Sequence, residues 1–154
     1  MSLHQQSKKA VLLAVLAHPD DESFGMGGTL AYYARNGVHV ELVCATKGEA
    51  GEMDPTFLQN NQKNADVRVQ ELRCAASILG ISHIHFLDYR DSGMSGSTDN
   101  QHPRAFCNQP VDQVAVQVAE IIRKVKPNVV ATFDPIGGYR HPDHIAIHKA
   151  TVEA

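Results

Sequence analysis

Apolar residues fall along this chain in short unbroken runs, separated by stretches with helical spacing. Val11-Leu12-Leu13-Ala14-Val15-Leu16-Ala17 contains no polar residue, the pattern of a strand covered on both faces. Val38 to Cys44, Ile84 to Leu87 and Asn128 to Phe133 predict three further strands. Gly27 to Arg35 carries Leu30, Ala31 and Ala34 at helical spacing and ends at Asn36-Gly37, a C-terminal stop. Ala65 to Leu79 repeats the pattern with Val69, Leu72, Ala76 and Leu79 and closes at Gly80. Val111 to Val125 is amphipathic through Val114, Val118, Ile121, Ile122 and Val125, and Pro127 stops it. Pro142 suits the first turn of a last helix running toward residue 154.

Strand alternating with helix predicts an α/β fold of Rossmann-like form. Three αβα layers surround a mostly parallel sheet with right-handed crossovers. Strand order 3-2-1-4 makes the first and fourth strands neighbours, and ligands in such sheets bind beyond the carboxyl ends of the strands where the order reverses. Residues 10–154 read as a single domain. The polar residues 1–9 read as a disordered lead-in without a signal core. Two polar stretches, 47–63 and Asp88 to Pro110, are long for loops in a compact domain, and such loops are more often functional than idle.

Composition removes several function classes. A formal charge of -3 with no Lys/Arg run gives nucleic acid no phosphate-binding surface. No apolar stretch approaches the roughly 20 residues that span a bilayer. Cys44, Cys74 and Cys107 are widely spaced, without a CxxC pattern; this predicts a reducing cytoplasm, with Cys44 and Cys74 as buried small hydrophobes.

The chemistry concentrates in two places, each just past a strand. Ala17-His18-Pro19-Asp20-Asp21-Glu22 follows the first, and His141-Pro142-Asp143-His144 follows the fourth after a Gly-rich loop. His18, Asp21 and His144 would give a divalent metal two imidazoles and one carboxylate, with open positions for water and substrate, as in catalytic zinc sites. Asp20 would stand beside the metal as general base. A helical start would aim His141 and His144 at one cleft, with Asp143 holding the His141 ring. Each cluster alone also fits a turn in which Asp caps the next helix, and Asp20 and Asp21 fit the positive end of a helix. Two such clusters after two strands are harder to explain by capping. His39, His83 and His85 alternate with apolar residues and read as packed or surface imidazoles, and His148 reads as part of an exposed polar face. Gly25-Met26-Gly27-Gly28 fails the dinucleotide spacing at Leu30, and the neighbouring acids would repel a pyrophosphate.

Ala17 to Glu22 with Gly27-Gly28-Thr29-Leu30, and His141 to His144, resemble the paired signatures of the LmbE/PIG-L family of zinc-dependent deacetylases. Arg68-Val69-Gln70-Glu71 with Leu79-Gly80 extends the likeness, and Tyr89-Arg90-Asp91-Ser92-Gly93-Met94 is similar to the mycothiol-pathway branch. The resemblance implies removal of an N-acetyl group from an N-acetylglucosamine-containing small molecule or conjugate. It implies one Zn2+ on His18, Asp21 and His144, Asp20 as base, and His141 as an imidazolium supported by Asp143. It also implies that Arg68, Asp91 and Tyr139 meet substrate. Family members continue well past the second motif, so the resemblance further implies that the usual C-terminal portion is lacking, leaving an apolar edge exposed or covered in a homo-oligomer. Arg140 stands where a small residue is expected. Two alternatives share these residues: a non-haem iron oxygenase, because His18, Asp21 and His144 also form a 2-His-1-carboxylate set, and a weakly active or inactive sugar-conjugate-binding module.

Overall fold

The computed structural model describes residues 9–58 and 62–154. Residues 1–8 of the expected lead-in and residues 59–61 of the expected 47–63 loop lie outside the described residues. Four parallel strands form the sheet: β1 (Val11–Leu16), β2 (His39–Thr46), β3 (Ile81–Tyr89) and β4 (Val129–Ala131), in the order β3-β2-β1-β4. This is the anticipated order. β1 is central, and alternate side chains leave it on opposite faces. Leu12, Ala14 and Leu16 pack with Leu30 of α1 (Asp21–Arg35) and with Leu72 and Ala76 of α2 (Asn64–Leu79). Leu13, Val15 and Ala17 pack with Val114 and Val118 of α3 (Val111–Val125) and, past the short irregular turn α4 (Gly137–Arg140), with Ile147 and Ala150 of α5 (Pro142–Glu153). A strand sandwiched in this way needs the unbroken apolar run that the sequence displays.

Three differences from expectation have physical causes. α1 begins at Asp21, inside the first motif, rather than at Gly27. Asp21 and Glu22 occupy its first turn, where the helix dipole favours anions and offsets the weak helix propensity of the three glycines that follow. β3 runs from Ile81 to Tyr89, longer than the Ile84 to Leu87 run, because Ile81 and His83 pair with Val40 and Glu41 of β2 on either side of an irregularity at Ser82. Cys74 is exposed, not buried. The buried stripe of α2 is Leu72 and Ala76, and a residue midway between positions four apart points to the opposite side of a helix. Cys44 is buried as expected. β4 is a short edge strand whose Val129 and Val130 are 56% and 37% exposed. Among the described residues, no helix is long and apolar enough to cross a membrane.

Candidate active site

Because β1 pairs with β4 (Leu12 with Val129, Ala14 with Ala131), the loops that follow them emerge side by side. Thr132 Oγ1 donates to the Val15 carbonyl at 2.8 Å and Thr46 Oγ1 to the Ala17 carbonyl at 3.1 Å, fixing the strand ends beneath the site. His18 and His144, 126 positions apart, face each other there with His144 Nε2 3.3 Å from His18 Nδ1.

Each ring is turned so that one nitrogen is left for the centre. His144 stacks on Phe133 with centroids 3.8 Å apart, and its Nδ1 donates to the Gly137 carbonyl at 3.3 Å, freeing Nε2. Gly137 lies at φ +66, and a Cβ there would come within 2.9 Å of the His144 Cβ, so only glycine permits this approach. His148, half-buried rather than on an exposed face, donates from Nδ1 to the Phe133 carbonyl at 2.7 Å and so helps anchor that ring. His18 Nε2 donates to Asp143 Oδ2 at 3.1 Å, freeing Nδ1. A ligating histidine whose other nitrogen is held by a carboxylate or carbonyl is the usual arrangement around a metal.

Asp21 completes the triangle. Its Oδ1 is 3.2 Å from His144 Nε2 and its Oδ2 is 3.4 Å from His18 Nδ1. A tetrahedral ion with bonds of about 2.0–2.1 Å holds its ligand atoms about 3.3–3.4 Å apart. The His18 and His144 nitrogens have this spacing, and Asp21 meets them through two different oxygens, so turning its carboxylate to present one oxygen to both rings would complete a set fit for a zinc-sized cation. Electrostatics agree. Burial disfavours charge on His18, but hydrogen bonds to Asp143, Asp21 and Asp91 outweigh it and hold the ring's pKa well above its ordinary value. Burial likewise acts to raise the pKa of Asp21, yet hydrogen bonds from His144 and His18 and their charge pull it far below the usual carboxylate range. Both shifts mark a place built to hold positive charge.

Asp20 stands beside this triangle with its carboxylate half-exposed. Its backbone is left-handed at φ 107, and its N–H is captured by the buried carboxylate of Glu22 at 3.0 Å. Arg68 spans the gap beneath: Nη2 donates to Asp20 Oδ2 at 3.0 Å and to the Pro19 carbonyl at 2.7 Å, and Nη1 donates to the Gly48 carbonyl at 2.9 Å. Burial raises the Asp20 pKa against the opposing pull of Arg68, the direction that suits a base working near neutrality.

These groups open onto a cleft of about 360 Å³ lined by His18, Asp20, Ala50, Gly51, Glu52, Arg68, Asp91, Gly93, Met94, Ser97, Tyr139 and His141. All three expected substrate contacts are among them. Tyr139 is 64% exposed at the rim, its ring edge-on to His141 and His144. Asp91 is only 3% exposed; it accepts from Gly93 N–H at 2.8 Å and Ala50 N–H at 3.2 Å, bracing one wall of the cleft against another. His18, His141 and His144 form one close group of potential ligand atoms, and His18, Asp91 and Asp143 form a second. Those carboxylates already take backbone and side-chain donors, which makes the second group a hydrogen-bond network.

Two expectations about charge and pairing change. The Asp143 carboxylate does not hold the His141 ring. It faces His18 and Ser92, and only the Asp143 backbone N–H reaches His141, donating to Nδ1 at 3.2 Å. Burial first, then the charge on His18, pull the His141 pKa down to about 4, a direction that favours the neutral ring over the expected imidazolium. With Nδ1 accepting, the neutral ring carries its proton on Nε2. The sequence reading passed over Glu22, Ser92 and Phe133. Glu22 lies inside the first motif, which was a usable signal; Ser92 and Phe133 have none beyond their nearness to motif residues. Among the described residues, His39, His83, His85 and His102 stay outside the site. His39 and His85 flank Glu41 at 2.8 and 2.6 Å with His83 against His85, and His102 accepts a local backbone N–H from Arg104.

Comparison with known proteins gives a consistent picture. The family model described as PIG-L, GlcNAc-PI de-N-acetylase, matches residues 13–154. A 1D-myo-inositol 2-acetamido-2-deoxy-alpha-D-glucopyranoside deacetylase from Acidothermus cellulolyticus is 47% identical over 152 residues, covering 93% of this chain and 52% of that protein. The structure of N,N'-diacetylchitobiose deacetylase from Pyrococcus horikoshii aligns with TM-score 0.73 at 30% identity, over 93% of this chain and 48% of the other. GalB, the 4-carboxy-2-hydroxymuconate hydratase of Pseudomonas putida, aligns with TM-score 0.68 at 26% identity, over 94% of this chain and 55% of the other. The chain thus spans about half the length of the curated relatives it matches.

Proposed function

The chain belongs to the PIG-L family, and on that footing we propose that its cleft hydrolyses the N-acetyl amide of an N-acetylglucosamine-containing small molecule or conjugate. The observation that carries this reading is the approach of His18, Asp21 and His144 to one another beside a cleft whose lining brings together His18, the half-exposed Asp20 carboxylate and His141. At about 360 Å³ the cleft lies at the small end of the roughly 300–1,000 Å³ range of ligand pockets.

His18, Asp21 and His144 would hold one zinc. Bound there, zinc supplies Lewis acidity toward the amide carbonyl and lowers the pKa of water toward about 7. Asp20 takes the proton from the attacking water as its oxygen bonds to the carbonyl carbon. His141 offers Nε2–H to the carbonyl oxygen as that oxygen gains negative charge, a donor that needs no charge of its own. Asp20 then returns the proton to the nitrogen as the C–N bond breaks, leaving acetate and a free amine. Arg68 keeps the Asp20 carboxylate aimed at the cleft. Tyr139 at the rim closes on the sugar, and Asp91 accepts from a sugar hydroxyl with the lone pairs its two backbone donors leave free. The glucosaminyl-inositol compound in the relatives' name is the first substrate to try. Three cysteines free of disulfides support action in the cytoplasm.

The test is a panel of N-acetylglucosamine conjugates given to zinc-loaded protein, read as free amine and acetate. Release should occur without oxygen, which separates hydrolysis from oxygenase chemistry. Asp20→Asn should lower kcat by a factor of about 10² or more, in line with loss of a general base, while zinc content stays at one per chain. A wild-type rate in that variant removes Asp20 from the mechanism, and affinity for the conjugates without turnover would make the chain a binding module.

A further inference from the structure

We propose that Ser92 is a metal-positioning residue, acting on His18 through Asp143, and that this is what the polar stretch between β3 and α3 exists to deliver. The inference rests on the zinc reading above. Asp143 is fully buried, and its carboxylate takes three donors: Ser92 Oγ–H on Oδ1, with Ser92 N–H at 3.0 Å and His18 Nε2–H at 3.1 Å on Oδ2. The direction of the serine hydroxyl is fixed, because its oxygen already accepts from Cys107 N–H at 2.9 Å and its hydrogen is left for Asp143. With the two Ser92 donors fixing its oxygens, the Asp143 carboxyl group is held against His18 Nε2, and the ring is oriented with Nδ1 toward Asp21 and His144.

The surrounding stretch is braced to hold Ser92. Asn100 Nδ2 donates to the carbonyls of Ser92 and Gly93, Asn108 Nδ2 donates to the Asn100 carbonyl at 2.7 Å, and Phe106 N–H donates to the Arg90 carbonyl at 2.8 Å. Ser92 lies away from the cleft lining and is fully buried, so its effect on a bound cation passes through Asp143.

The experiment is zinc affinity, measured on the full chain by competition with a chromophoric chelator, alongside melting of the metal-free protein. Ser92→Ala removes one of the three donors and should weaken zinc binding about tenfold. Asp143→Asn cannot accept from all three donors and should weaken it about a hundredfold, the two ends of the range for residues that orient metal ligands. If the alanine variant does not fold, Ser92→Cys, a poorer donor, is read for a smaller shift in the same direction. Zinc binding by Ser92→Ala equal to wild type, or a lower metal-free melting temperature with unchanged zinc affinity, overturns the proposal. Failure of the wild-type chain to bind one zinc overturns the metal centre itself, a distinct result.

Discussion

Arg140 sits between two cleft residues in left-handed backbone at φ 70, and its side chain makes no hydrogen bond or ion pair among the described residues. A left-handed setting costs an L-residue roughly 1–2 kcal/mol that glycine avoids. The small residue expected here from the resemblance has this physical reason. Arg140→Gly should stabilise the protein by about 1 kcal/mol, raising Tm by roughly 2–4 °C, and calorimetry checks it. His18 makes a second residue-scale prediction, for the metal-free protein. Its folded pKa is raised above 6.5, so its contribution to stability is complete below that pH and is lost as pH rises through the folded value. Asp21 works in the opposite sense: depressed below 3.8, it contributes above that pH and is lost as pH falls. Chelated protein should therefore melt highest between about pH 4 and 6.5 and progressively lower toward pH 9. Zinc should remove the alkaline decline, since it takes the place of the Nδ1 proton.

Elements were legible where burial is uniform. The run at residues 11–17 reads as a strand covered on both sides, and the polar clusters after the first and fourth strands mark the cleft in the sequence itself. Partner identity was not legible. His141 and Asp143 adjoin in sequence and were read as a pair, but residues two apart at the start of a helix point to different sides. Asp143 turns to His18, 125 positions away. The motif pointed to Glu22, but its partner, the Asp20 N–H, depends on a left-handed turn that no spacing rule reveals. Connecting segments carry their own constraint. A Cβ on Gly48, at φ +71, would fall 2.1 Å from Arg68 Nη1. Gly48→Ala should push Arg68 off Asp20 and lower kcat/KM about 100-fold, the cost of a misplacement near 1 Å at a reacting group. Kinetics with zinc content held constant check this, and an unchanged kcat/KM would show that Asp20 does not depend on Arg68.

Across the whole molecule, the proposed ligand set joins the loop after the first strand to the last helix. Asp21 and His18 follow the first strand, and His144 belongs to the last helix, so one cation would clip a loop of 126 positions. Clips that close long loops gain most in the unfolded-state entropy they remove, and every doubling of loop length adds only about 0.6 kcal/mol. β4, with just three paired residues and an open outer edge, is the strand that most needs such a fastening. Zinc at a thousandfold excess over its Kd should add about 4 kcal/mol to folding stability, a rise of roughly 8–16 °C in Tm for a chain of this size. The ion would then act as a staple for the fold as well as a reagent, and stripping it should first release the last helix and the outer strand beside it, read as faster amide exchange at Val129 to Ala131 than at Val11 to Leu16.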